Sequence, residues 1–266
     1  MRRPAGIAAA VVAVAATLAR AVAADAPTPP IAPDELRSGY HFQSPATRAM
    51  QDDEFDNPGL LWVGRGESLW REAAGATGQA CADCHGDPAA GMAGVAARYP
   101  AVDAGTGELL NLEARINRCR VERQGAPALA YDSAELLALS ALVAYQSRGL
   151  PIRVAIDGPA RPFFEAGRSA YTTRQGQLNL ACSHCHDDHW GERLRGELLS
   201  QGHPTGYPIY RLEWQGMGSL HRRLRSCDIG VRAQPGPLGA PAYAALELYL
   251  AWRAQGLAIE TPAVRR

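Results

Sequence analysis

Two Cys-x-x-Cys-His pentads, Cys81-Ala-Asp-Cys84-His85 and Cys182-Ser-His-Cys185-His186, stand about one domain apart in the chain. Such a pentad is a covalent attachment site for a c-type haem, because two thiols add to the vinyl groups while the adjacent imidazole reaches the iron. One copy could be chance or half of a zinc site. Two among six cysteines point to haem at both. The reading predicts two covalently bound haem c groups, with Cys81, Cys84, Cys182 and Cys185 as anchors and His85 and His186 as proximal iron ligands.

The chain around the pentads is duplicated. Gly66-Glu-Ser-Leu-Trp70 precedes the first as Gly167-Arg-Ser-Ala-Tyr171 precedes the second, at the same offset as the pentads themselves. After each comes Leu-x-x-Arg-apolar-x-x-Cys, first as Leu112-Glu-Ala-Arg115-Ile116-Asn-Arg-Cys119, then as Leu220-His-Arg-Arg223-Leu224-Arg-Ser-Cys227. A closing helix over Ser133 to Gly149, apolar at Leu136, Leu139, Leu142, Val143 and Tyr145, is echoed before Gly256, and each Gly is expected as its helix terminator. Helix with an aromatic, pentad, irregular loop and amphipathic closing helix is the order of a class I cytochrome c domain. The expected fold is all-α: two tandem domains with long loops, 57–155 and 156–266, meeting where Pro151, Gly158, Pro159 and Pro162 cluster. The second carries the longer loop, between His186 and Cys227, and insertions on a repeated scaffold usually serve the functional face.

Ahead of these units, Arg2 and Arg3, an apolar run from about Ile7 to Leu18, and Ala21-Val22-Ala23 have the form of a secretory signal over residues 1–24. Residues 25–56 are Pro-rich and polar, and read as an arm that packs against a domain or a partner. No later stretch approaches the roughly 20 apolar residues of a membrane span. Export agrees with covalent haem and predicts a periplasmic protein. A formal net charge of zero over 266 residues removes any whole-molecule argument for nucleic acid. All strongly basic residues are Arg, which excludes lysine chemistry of every kind.

A low-spin haem needs a second axial ligand. Met92 lies close to His85 in sequence, while Met217, His189 and His203 are available to the second haem. The two cysteines outside the pentads, Cys119 and Cys227, compete with all of these. They could instead form a disulfide with each other, or be buried small hydrophobes. Their equivalent places in a repeat argue against a disulfide, since equivalent points of tandem units seldom come within the roughly 7 Å Cα limit. A thiolate ligand would donate electron density to iron and lower its potential, making a simple high-potential relay a poor fit.

Taken together, the pentads, the cysteine after each, the loop Gly202-His203-Pro204-Thr205-Gly206-Tyr207-Pro208-Ile209-Tyr210-Arg211-Leu212, and Arg222-Arg223-Leu224-Arg225-Ser226-Cys227 leading to Val231-Arg232-Ala233 resemble one family: the dihaem A subunits of the SoxAX cytochromes of bacterial thiosulfate oxidation. The resemblance implies that His85 and Cys119 ligate haem 1 and that His186 and Cys227 ligate haem 2. It implies that Cys227 carries a persulfide at the active site. The implied reaction couples thiosulfate oxidatively to a cysteine of a SoxYZ carrier, leaving a cysteine S-thiosulfonate and passing two electrons to cytochrome c. The implied partner is the small monohaem SoxX subunit. Some relatives hold a disulfide in place of the first haem, but this chain keeps Cys81, Cys84 and His85.

The residues themselves fit that chemistry. Thiosulfate is a dianion, and Arg222, Arg223, Arg225 and Arg232 surround Cys227 in sequence. Arg223 would share the face of Cys227 on a helix, so Arg223 and Cys227 are the candidate catalytic residues, with Arg223 and Arg232 as candidate substrate ligands. Arginines near a haem also pair with propionates, and Arg115 at the equivalent place argues for a partly structural role. Trp190 and Trp214 are expected against the second haem, His184 on the surface. Two other functions stay open: a dihaem electron carrier without sulfur chemistry, and a dihaem peroxidase.

Overall fold

The computed structural model describes residues 27–266. The secretory signal expected over 1–24 lies outside them. Among the described residues ten α-helices run in chain order: α1 (Pro45–Asp52), α2 (Leu60–Arg71), α3 (Cys81–His85), α4 (Pro88–Gly91), α5 (Leu112–Cys119), α6 (Ala134–Tyr145), α7 (Arg161–Thr172), α8 (Cys182–His186), α9 (Leu220–Gly230) and α10 (Pro241–Arg253). The duplication read from the sequence is a duplication of helices: α2, α3, α5 and α6 recur as α7, α8, α9 and α10.

In each half the first helix packs on the closing helix, and a glycine sets how closely. A Cβ on Gly66 would fall 2.3 Å from the carbonyl oxygen of Ala138, and one on Gly167 would fall 2.0 Å from that of Ala245. Neither site admits a side chain. Four residues on, the aromatic of each echo reaches the end of its pentad. Trp70 Nε1 donates to the Gly86 carbonyl at 2.9 Å, and Tyr171 OH donates to Asp187 Oδ1 at 2.8 Å. Both closing helices are buried on nearly every face, since each is wedged between its own half and the other. Helix α6 stops at Tyr145, and a tight turn follows before Gly149 takes φ +83°. That glycine ends the turn rather than the helix.

The cysteine-bearing helices begin at equivalent caps. Asn111 Oδ1 accepts from Ala114 N at 3.0 Å and Ser219 Oγ from Arg222 N at 3.2 Å, so Cys119 and Cys227 sit equally far along α5 and α9. The halves meet through the same two caps. Asn111 Nδ2 donates to Glu247 on α10 at 3.1 Å, Asp132 accepts from Ser219 N at 2.8 Å, and Tyr131 stacks on His221 with centroids 4.8 Å apart.

The all-α expectation needs correction. Helices dominate, but seven short strands among the described residues form three small sheets: β1 (Ala101–Val102) with β2 (Leu109–Leu110), β3 (Arg193–Leu194) with β4 (Glu197–Leu198), and a third in the order β6 (Gly216–Gly218), β5 (Ile209–Arg211), β7 (Ala263–Arg265). β5 pairs antiparallel with β6 and parallel with β7, Ile209 opposite Ala263. The segments are too short and too rich in flanking Gly and Pro for helix, and Pro262 biases the chain entering β7 toward extended geometry.

The arm, described from residue 27, belongs to the second half. Helix α1 packs on β7, where Gln51 Oε1 accepts from Val264 N at 3.1 Å. Gln201 binds the arm backbone from the other side, accepting from Arg37 N at 2.7 Å and donating to the Glu35 carbonyl at 2.9 Å. Arm, C-terminus and long loop thus form one layer over the second pentad. Among the described residues, no helix is long and apolar enough to cross a membrane.

Candidate haem and sulfur site

Each pentad is a single helical turn capped by its own middle residue. Asp83 accepts from Ala80 N at 2.8 Å, and His184 Nδ1 accepts from Ala181 N at 2.9 Å. The second of these gives His184 a role where a surface position was expected. Burial, reinforced by the nearby Cys227 and Asp228, pushes the Cys182 thiol up to about 12. Burial and Cys227 raise Cys185 as well, and burial raises Cys81, with Cys119 adding to it. These surroundings suit uncharged sulfur, the form a thioether to haem requires. They also show that each echo cysteine approaches its own pentad. Among the described residues no cysteine forms a disulfide.

The His186 ring is fixed for coordination. Its Nδ1 lies 2.7 Å from the Ser200 carbonyl, which only accepts, so Nδ1 carries the hydrogen and Nε2 keeps its lone pair. Burial lowers its basicity and keeps it neutral. Both properties fit a proximal ligand. His85 is exposed, with its ring 5.7 Å from that of Trp70. Asp187, beside His186, is held by buried Arg253, whose Nη1 also donates to the Gln201 carbonyl at 3.0 Å and whose guanidinium lies 4.5 Å from the Tyr171 centroid.

A cavity of about 520 Å³ opens beside His186, within the size range of cofactor and ligand sites. Its walls include His203, Tyr207, Arg211 and Arg223, and the arm contributes Ser44 and Thr47. Arg223 sits one turn before Cys227 on α9, as the spacing predicts. The neighbouring Cys227 raises its already high pKa against the opposing effect of burial, and Glu197 and Glu213 add to the rise. Burial raises the Tyr207 phenol and keeps it a donor. Asp228 anchors the end of α9, accepting from Gln175 Nε2 at 3.1 Å and from Tyr243 OH at 2.5 Å.

The other arginines near Cys227 in sequence point elsewhere. Arg222 stacks 4.2 Å from the Trp214 centroid and faces Asp132 at 3.6 Å; Arg225 donates to the Gly236 carbonyl. Arg232 is exposed at φ +59°, and its carbonyl accepts from Gln177 N at 3.2 Å. Neither it nor the other two lines the cavity. Arg193, Arg211, Arg265 and Arg266 line it instead, from distant parts of the chain that carry no local signal.

The remaining ligand candidates separate cleanly. Met217 and Met92 are buried in the apolar cluster around α2 and α6, with Cys81 at its edge, and Met217 is absent from the His186 cavity. His189 is exposed and lies 3.2 Å from Glu192. His203 lines the cavity, with Nε2 3.2 Å from Gln201 Oε1, and burial drops its pKa to about 3. Trp190 meets Phe42 of the arm edge-on, while Trp214 lies between Arg211 and Arg222.

This arrangement has relatives among known proteins. Residues 65–152 match the family described as SoxA/TsdA, cytochrome c domain. The L-cysteine S-thiosulfotransferase subunit SoxA of Rhodovulum sulfidophilum is 43% identical over 232 residues, covering 87% of this chain and 81% of that protein. Its counterpart from Paracoccus pantotrophus is 41% identical over 232 residues, covering 87% and 80%. The crystal structure of SoxXA from P. pantotrophus superposes with a TM-score of 0.83 at 41% identity, over 86% of each chain. With a cytochrome c fold, covalent haem c attachment and this extent of identity, the chain belongs to the SoxA family of L-cysteine S-thiosulfotransferase subunits.

Proposed function

We propose that this chain is the dihaem subunit of a periplasmic L-cysteine S-thiosulfotransferase, working with a monohaem SoxX-type cytochrome on a SoxYZ-type carrier. Residues 57–155 and 156–266 each hold one haem c, ligated by His85 and Cys119 and by His186 and Cys227. When bound, each haem supplies a one-electron acceptor. The carrier thiol and thiosulfate combine to a cysteine S-thiosulfonate, releasing one proton and two electrons to cytochrome c.

The observation that carries the reading is Arg223, which lines the cavity bounded by His186 and stands one helical turn before Cys227 on α9. Arg223 holds the anion by its fork of donors without losing charge. Tyr207, kept protonated, offers one more donor on the same wall. Cys227 carries the reacting sulfur as a persulfide. Layered over the site, the arm and the β5–β7 sheet limit the entry of water.

Intact mass tests this directly: one extra sulfur confined to the Cys227 peptide is expected. Cys227→Ala should abolish thiosulfate-dependent loading of the carrier. Coupling that survives this substitution at the wild-type rate would leave only the electron carrier.

A further inference from the structure

Only one of the arginines clustered near Cys227 reaches the cavity, yet thiosulfate carries two negative charges. Of the arginines that line the cavity from elsewhere in the chain, Arg211 on β5 stands out. Its side chain is 7% exposed, and it lies 5.2 Å from the Trp214 centroid. Nη2 meets Glu213 at 2.9 Å and Glu197 at 3.8 Å. Nε is buried with no hydrogen-bond partner among the described residues. A buried donor left unpaired is costly, and a guanidinium has five donors to satisfy. Arg211 is therefore under-used in the fold as it stands.

The two carboxylates are equally telling. Glu197 and Glu213 are 45% and 65% exposed, so each reaches inward from the rim and can return to water at little cost. Glu197 sits on the β3–β4 hairpin, whose four strand residues are all exposed. Both carboxylates also act on Arg223. The same two carboxylates thus act on both arginines, and Glu197 lines the cavity with them.

We infer that Arg211 is a second substrate-binding residue, taking one charge of a small sulfur oxyanion alongside Arg223, and that Glu197 and Glu213 occupy its guanidinium until the dianion displaces them. The inference rests on the function proposed above and adds a residue to its binding site. It makes an uncommon demand: removing an acid at the rim must improve the binding of substrate.

The test uses the haem-loaded complex with the monohaem partner at saturating carrier, varying thiosulfate. Arg211→Gln should raise KM about tenfold or more, with a smaller change in kcat. Glu197→Gln and Glu213→Gln should each lower KM, about two- to fivefold. An unchanged KM in Arg211→Gln, or a raised KM in Glu197→Gln, overturns the inference. Should Arg211→Gln fail to fold, the exposed Glu197→Gln decides alone. If Cys227→Ala loses coupling while Arg211→Gln and Glu197→Gln keep wild-type KM values, this inference falls and the function stands. Absence of thiosulfate-dependent coupling in the wild type removes both.

Discussion

Gly167 on α7 lies so close to Ala245 on α10 that a Cβ would sit 2.0 Å from the Ala245 carbonyl oxygen and 3.0 Å from Tyr249 Cβ. The first obstacle is backbone, which cannot rotate aside. Gly167→Ala must separate the helix pair that carries Tyr171 toward Asp187, and overpacking of this kind costs about 1–3 kcal/mol or more. Thermal unfolding of the haem-loaded protein should show a lowered Tm. Gly66→Ala should do the same through Ala138, and Gly64→Ala on the same helix, with no atom within 4 Å, should not.

Arg253 and Asp187 form the buried ion pair beside His186, and the Arg253 side chain is 1% exposed. Breaking such a pair from one side strands a charge and costs about 3–5 kcal/mol. Arg253→Met or Asp187→Asn should therefore shift the denaturation midpoint strongly. Arg253→Met combined with Asp187→Leu should recover much of the loss, because no unpaired charge remains. A double variant as unstable as the sum of the singles would show that the pair is not the source.

How much of this was legible beforehand depends on the range of each interaction. The pentads and the paired echoes Trp70/Tyr171 and Cys119/Cys227 are written within a few residues, so spacing locates them; the caps that Asp83 and His184 place on their own turns are not, and His184 reads from the sequence as a surface residue. Arg223 was legible for the same reason, being one turn from Cys227. Arg232 was not: a left-handed turn after α9 directs it to solvent, and nothing in Val231-Arg232-Ala233 announces that turn. Arg211 was invisible as a cavity residue, because its place depends on β5 pairing with Ala263–Arg265 at the far end of the chain. The arm gave a low-periodicity stretch, and only the contacts of Gln51 and Gln201 make it a wall of the site. Strands escaped an all-α reading because two- and three-residue segments leave no alternation to detect.

Haem number can be counted pentad by pentad. Cys81→Ser with Cys84→Ser should lower the intact mass by one haem and remove about half the Soret absorbance, leaving α7–α10 intact because that helix pair has its own core. Cys182→Ser with Cys185→Ser should remove the other. Full haem content after either double change would show that the altered pentad carries none.

Glu113 makes the interface between the halves sensitive to pH. It is 6% exposed and lines a cavity of about 60 Å³ shared with Glu247. Burial, then repulsion from Glu247, pushes its pKa from an ordinary 4.5 up to about 8, and Asp132 adds to the rise. Near Glu247, His221 Nε2 lies 3.2 Å from the carboxylate without hydrogen-bond alignment, and Tyr131 is a neutral phenol. In the folded chain Glu113 keeps its proton at pH values where the unfolded chain has lost it. Its contribution to stability is thus fully present below about pH 4.5 and is lost as pH rises through about 8. Glu113→Gln keeps the uncharged shape and should flatten this slope, making the variant more stable than wild type at pH 8 and closer to it at pH 5. Denaturation midpoints measured at the two pH values decide the matter, and parallel slopes for the two proteins would assign the pH dependence to another group.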